Sequence, residues 1–226
     1  MTWLYQPGRR LAQFCFNVFG RLEVTGREAV PPYGPLIVVA NHLSYNDPPS
    51  LVASLPRVLD FLGKKELFSS PFKRVVMQAV RVHSLDREIG GINAMRTALD
   101  LLAQDRAVVV FPEGHISAEF ALEEGLPGAA YLAIKSQAPI LPVGIWGTEK
   151  FAPWRMPFPL CRFRVNIGQP FTPPVIEGRL SREVVTSVVD MIMGRIATLL
   201  PPDYQGIYAI PGLSEDPATP ATPPHS

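Results

Sequence analysis

His42 and Asp47 stand five positions apart in Asn41-His42-Leu43-Ser44-Tyr45-Asn46-Asp47, directly after the apolar run Leu36–Ala40. On one helix a five-residue step, at about 100° per residue, would send the two side chains to different faces. A loop serves them better: His42 leaves a strand end, Asp47 caps a helix, and Pro48 takes its first helical position. Such a loop brings the carboxylate to one ring nitrogen, which fixes the tautomer and stabilises the imidazolium. The other nitrogen is then free to take a proton from a hydroxyl. By itself the stretch also reads as an ordinary Asp-Pro cap beside a satisfied buried histidine.

Three further stretches carry chemistry. From Arg57 to Arg87, seven Lys/Arg stand against three Asp/Glu, a local net of +4 in a chain of net charge +1. Lys64 and Arg87 each follow a strand candidate, where a cation suits a phosphate, although a solvated basic face has the same composition. The run Ala107–Val110 passes into Phe111-Pro112-Glu113-Gly114, a sharp turn that presents Glu113 at the sheet edge. Ligands of open α/β sheets gather there, at the carboxyl ends of strands. Pro139 and Pro142 bracket the start of another strand and stiffen its approach.

The elements that must position these residues alternate along the chain. Strand candidates are Leu36–Ala40, Val58–Leu62, Val82–Leu85, Ala107–Phe111, Ile140–Trp146 and Phe163–Ile167. Helical patterns lie between them at Pro48–Leu55, Pro71–Val80, Ile92–Gln104 and Leu126–Ser136, with a last helix from about Arg182 to Leu200. Alternation of this kind predicts a single α/β domain: a mixed, mostly parallel sheet flanked by helices. Ahead of it, Leu11, Phe14, Cys15, Val18 and Phe19 recur at helical spacing, with Trp3, Tyr5, Arg9, Arg10 and Arg21 beside the stripe. That pattern suits an amphipathic helix in a membrane interface, and equally a first helix packed on the core. The expected division is residues 1–25 as amphipathic helix, 26–200 as the α/β domain, and 201–226 as a proline-rich, largely disordered tail.

Composition narrows the function classes. With 226 residues, 47% hydrophobic and 18% charged, and a mean hydropathy of +0.14, the chain builds a core and is no mostly disordered polymer. A net charge of +1 gives no bulk argument for a nucleic-acid partner. Cys15 and Cys161 are too few for a disulfide scaffold or a four-cysteine zinc site. No apolar run is long enough to span a membrane, and the first residues lack the order of a signal peptide, so a cytoplasmic location is expected. Neither a Gly-x-Ser-x-Gly elbow nor a His-Glu-x-x-His helix is present to support a hydrolase or zinc enzyme.

In combination, His-x4-Asp, Gly63-Lys64-Lys65-Glu66-Leu67, Leu85-Asp86-Arg87, Phe111-Pro112-Glu113-Gly114 and Ala138–Val143 resemble the glycerolipid acyltransferase family, in particular its bacterial 1-acylglycerol-3-phosphate acyltransferases, over about residues 20 to 170. The resemblance implies that His42 is the general base and that Asp47 orients it. An acceptor hydroxyl then attacks the thioester of acyl-CoA or acyl carrier protein without an acyl-enzyme, giving phosphatidic acid when the acceptor is 1-acylglycerol-3-phosphate. Lys64, Arg87, Glu113 and Gly114 would shape the acceptor site, and Pro139 and Pro142 resemble an element of the acyl-donor side. It implies no metal and no cofactor beyond the acyl donor, a lysophospholipid acceptor, a membrane surface as partner, no nucleic acid, and a peripheral place on the cytoplasmic side of the cell membrane. One departure stands out: where the family continues with Thr-Arg-Ser, this chain has His115-Ile116-Ser117. Losing that arginine's charged hydrogen bond costs roughly 1.5–3 kcal/mol, about ten- to a hundredfold in affinity. Either Arg87, Lys64 and Lys65 compensate, or the acceptor is another lysolipid or a glycolipid, or the chain binds lipid without catalysis.

Overall fold

A computed structural model describes residues 4–70, 74–75, 77–78, 80–85, 91–150, 161–176, 178 and 180–209, with backbone alone at 64, 66 and 85. The strands are β1 (Arg21–Thr25), β2 (Leu36–Ala40), β3 (Leu59–Lys64), β4 (Val82–Leu85), β5 (Ala107–Val110), β6 (Ile140–Trp146) and β7 (Arg162–Ile167). The helices are α1 (Tyr5–Val18), α2 (Asp47–Ser54), α3 (Gly91–Leu102), α4 (Gly128–Ser136) and α5 (Arg182–Ala197). Five of the six expected helices are described in this way. Of the expected one at Pro71–Val80, residues 74–75 and 77–78 are described and are helical, residues 71–73, 76 and 79 lying outside the described residues.

All seven strands form one sheet in the order β1-β7-β6-β2-β5-β3-β4. Every neighbouring pair is parallel except β6 with β7. Central β2 is buried along its whole length, which is why Leu-Ile-Val-Val-Ala carries no polar alternation. Its side chains alternate between two cores. Ile37 and Val39 meet Val108 and the apolar faces of α3, α4 and α5. Val38 and Ala40 meet Leu51 of α2 and Leu55 just after it, together with Val109 and Val143. Three layers result, with the sheet in the middle.

Two expectations about the chain ends change. The N-terminal helix stops at Val18, and Arg21–Thr25 is an edge strand paired with β7. Within α1, Cys15 turns inward beside Phe16, whose ring meets Phe163 edge-on at 5.0 Å. Leu11, Phe14 and Val18 point outward, each more than half exposed. Trp3 lies outside the described residues. At the other end the domain does not finish at 200: residues 202–208 form two short 3-10 turns that pack on it. The amide of Leu122 donates to the Tyr204 carbonyl and that of Ile207 to the Leu122 carbonyl. Gly206 has φ +52°, and a Cβ there would sit 2.0 Å from the Leu122 carbonyl oxygen, so glycine is required at that close approach. Residues 210–226 lie outside the described residues.

Candidate active site

Because β6, β2 and β5 are adjacent and parallel, the loops after their carboxyl ends lie side by side. The loop after β2 carries His42 and leads to Asp47, the loop after β5 carries Glu113, and the loop after β6 carries Thr148. Asp47 is the first residue of α2, with Asn46 at the cap position and Pro48 following. Its carboxylate does not cap the helix ahead of it, as the sequence suggested. It turns back, and Oδ2 accepts the amides of Leu43 at 2.7 Å and Ser44 at 2.8 Å. The same oxygen accepts Nδ1–H of His42 at 2.8 Å, while Oδ1 accepts the Thr148 hydroxyl at 2.5 Å. Four donors thus satisfy a carboxylate with no solvent exposure.

His42 is held on every side but one. Its ring stacks on Phe111, with centroids 4.0 Å apart and planes 16° apart. Its amide donates to Glu113 Oε2 at 3.2 Å, and its carbonyl accepts the Ser117 amide at 2.8 Å. With Nδ1–H committed to Asp47, Nε2 carries the lone pair and has no partner among the described residues. The side chain keeps 16% exposure, so a substrate hydroxyl can reach it. Asn41 sets the loop's origin by a reciprocal pair with the backbone of Ile145, both bonds 2.7 Å.

Glu113 is fully buried, so the Pro112-Glu113-Gly114 turn does not offer its carboxylate to solvent. One oxygen accepts the His42 amide and the other the Glu123 amide at 3.4 Å, which ties two loops together. Burial pushes this carboxyl up from 4.5 to about 7, against the two amide bonds that favour the charged form. Nearby Glu123 also raises it and His115 lowers it. Between pH 4.5 and 7 the folded chain therefore holds a proton that the unfolded chain has lost. Stability from this group is full below 4.5 and declines as pH rises to 7. We expect the stability of the native chain relative to Glu113→Gln, read from urea unfolding, to fall by about 3 kcal/mol over that window and to be flat above it. A pH-independent difference would refute the buried-proton account.

The remaining sequence candidates divide. His115 and Ile116 follow the Glu113 turn, and His115 is exposed and bonded to Glu123 at 2.8 Å, which raises its pKa. The Lys64 backbone ends β3, its side chain is outside the described residues, and so is Arg87. Pro139 and Pro142 are not brought to His42. Pro139 precedes β6 at the opposite end of the sheet, and Pro142 sits within β6, opposite Val39 and just before the β7 ladder begins at Val143. There its carbonyl accepts the Gly168 amide at 2.9 Å, so proline gives up only the donor half of that pair. Arg57, in the basic run, is a staple: it donates to the carbonyls of Pro31, Tyr33, Gly34 and Asp105. Asn41 and Phe111 stand inside the sequence motifs but were given no role there, and Thr148 went unmarked, since nothing local in Trp146-Gly147-Thr148 points to a carboxylate far upstream.

Fold and site together define an α/β protein with a histidine–carboxylate pair of the general-base type at the carboxyl ends of a mixed sheet. The chain belongs to the Acyltransferase family, whose pattern it matches over residues 21–146. It is 30% identical over 200 residues to the mouse 1-acyl-sn-glycerol-3-phosphate acyltransferase alpha, covering 83% of this chain and 66% of the mouse protein. The Bacillus subtilis 1-acyl-sn-glycerol-3-phosphate acyltransferase is 24% identical over 196 residues, covering 83% of this chain and 96% of that one. The crystal structure of the 1-acyl-sn-glycerophosphate acyltransferase PlsC from Thermotoga maritima superposes with a TM-score of 0.67 at 26% identity, over 83% of this chain and 76% of PlsC. The chain spans about two thirds or less of the mouse, human and Chlamydomonas relatives.

Proposed function

We propose that the protein moves a fatty acyl group from a thioester donor to the free hydroxyl of 1-acylglycerol-3-phosphate, giving phosphatidic acid. The observation that carries this reading is the His42–Asp47 pair, with Nδ1 committed to a buried carboxylate and Nε2 open. Nε2 takes the proton as the hydroxyl oxygen attacks the thioester carbonyl. The tetrahedral intermediate then expels the thiolate, and the imidazolium returns the proton to it. The names of the relatives support the acceptor. Beside Phe111 lies an apolar cavity of about 220 Å³, walled by Leu62, Met95, Val110, Leu126 and Leu132, of a chemistry that fits a fatty chain. Lys64, Arg87 and the Glu113-Gly114 turn remain the proposed acceptor side, and Pro139 and Pro142 support β6 rather than contact the donor.

Thiol release from a long-chain acyl-CoA, measured with lysophosphatidic acid, larger-headed lysophospholipids and monoacylglycerol, tests the reading. Release that requires lysophosphatidic acid bears it out, and release only with another acceptor makes Ile116 a determinant of acceptor choice. No release with any acceptor sinks it.

The same reading places the protein peripherally on a membrane, on the cytoplasmic face where acyl donors are made. No helix among the described residues is long and apolar enough to cross one. Leu11, Phe14 and Val18 form an outward stripe on α1, with exposed Arg10 and Arg21 nearby. Changing all three to serine should weaken binding to anionic phospholipid vesicles at least about tenfold without unfolding the chain, because none of them is buried. Unchanged vesicle sedimentation would place the membrane contact elsewhere.

A further inference from the structure

Away from His42 the structure builds a second charged centre. Asp60 on β3 is 1% exposed and collects the cations around it. Its Oδ1 accepts Arg81 Nε at 2.9 Å, His83 Nε2 at 2.8 Å and a guanidinium nitrogen of Arg106, and its Oδ2 accepts Arg106 Nε at 2.8 Å. One buried carboxylate thus aims two guanidiniums, leaving an excess positive charge and unused N–H donors. Those donors border a cleft of about 1080 Å³ that is also lined by Lys65, Arg74 and Phe68. Asp60 stands behind the wall, and no acidic side chain is among the described residues lining the cleft.

The shape points to a small ligand. The side chains of Arg81 and Arg106 keep only 17% and 22% exposure, so they are recessed and answer a phosphate that enters the cleft better than a convex protein face. Several cations on one wall suit more than one phosphate, and Phe68 offers a flat apolar wall for a base. Distance agrees with a donor that reaches across. Asp60 is in register with Val108, and Val108 with Ile37, which is five residues before His42. At strand spacing and rise, Asp60 to His42 is roughly 20 Å, a span an extended pantetheine arm covers. Lys65, just past the carboxyl end of β3, carries the cleft toward the His42 end.

We propose that this cleft holds the phosphates of the nucleotide end of a coenzyme A thioester. The proposal rests on the acyl-transfer reading of the His42 site and names the donor it uses. The test is isothermal titration of the full chain with adenosine 3′,5′-bisphosphate and with inorganic phosphate, for wild type, Arg74→Glu and His83→Gln. Arg74 is exposed and makes no bond to Asp60, so its reversal leaves the buried cluster intact. The bisphosphate should bind wild type about tenfold or more tighter than it binds either variant, and about tenfold tighter than inorganic phosphate binds. In Arg74→Glu the KM for acyl-CoA should rise by a similar factor while that for the lysolipid stays put.

The proposal is overturned by bisphosphate that fails to bind wild type, by equal binding to Arg74→Glu, or by inorganic phosphate that binds as tightly. It is also overturned if Arg74→Glu loses turnover only with acyl carrier protein, which would assign the surface to an acidic protein donor. Bisphosphate binding by a chain that releases no thiol with any acceptor supports the cleft and fails the acyl-transfer reading alone. Normal thiol release with an unmoved acyl-CoA KM in Arg74→Glu fails the cleft alone.

Discussion

His42→Ala should lower kcat for thiol release by about a thousandfold or more while the protein stays folded. The rate loss follows from removing a positioned base, an effect typically of 10²–10⁴. The fold survives because Asp47 keeps the amides of Leu43 and Ser44 and the Thr148 hydroxyl as donors. What is lost structurally is a half-buried ring stacked on Phe111, worth roughly 1–2 kcal/mol. Steady-state kinetics beside a urea unfolding curve separate the two effects. A variant that keeps more than a tenth of the wild-type kcat would remove His42 from the chemistry.

The second large effect is at Asp47, where two substitutions should part company. In Asp47→Asn the amide oxygen takes the Oδ2 position, because the two backbone N–H groups of Leu43 and Ser44 demand an acceptor there. The carboxamide nitrogen then faces Thr148, whose hydroxyl turns to accept. Geometry and fold survive, but the charge that stabilises the imidazolium is gone, and kcat should fall roughly 10²–10³-fold. In Asp47→Ala no acceptor is left for two amides and a hydroxyl at a site with no solvent exposure. That variant should lose about 3–5 kcal/mol of stability as well as its activity. If Asn costs as much stability as Ala, Asp47 is a structural residue first, and the assignment to His42 loses its best support.

How much of this was legible beforehand depended on how locally each feature is encoded. β2 and β6 have the ends their apolar runs indicated, because a strand covered on both faces writes its length in uninterrupted hydrophobicity, and β4 has its expected ends although it is an edge strand with an exposed Ser84. β1 escaped notice because it is an edge: Arg21-Leu22-Glu23-Val24-Thr25 buries only alternate residues, and partly, so it merged with the amphipathic pattern before it. The stripe on α1 mixed two faces, since Phe16, the residue that packs against Phe163, lies off it. The His42–Asp47 pair was legible because both partners share one short loop. Thr148 was not, because its contact with Asp47 is made by strand order, and strand order is a property of the whole sheet. Pro139 and Pro142 show the converse: a motif marked them, but parallel pairing with β2 leaves Pro139 at the far end and Pro142 inside the sheet opposite Val39.

The short turns at 202–208 bear on when the protein becomes competent. Tyr204 donates its hydroxyl to Glu149, next to Thr148, and its carbonyl holds the Leu122 amide in the loop that reaches Glu113 through Glu123. Two of the three loops around His42 are therefore braced by residues that follow Asp47 by about 150 positions along the chain. At usual elongation rates roughly ten to thirty seconds separate the appearance of Asp47 from that of Tyr204. Throughout that interval the nascent chain already carries its histidine and its carboxylate, yet not the brace that sets their surroundings. The histidine and its carboxylate are thus made well before the turns that fix the loops around them, so the pair exists in the growing chain before its setting is complete.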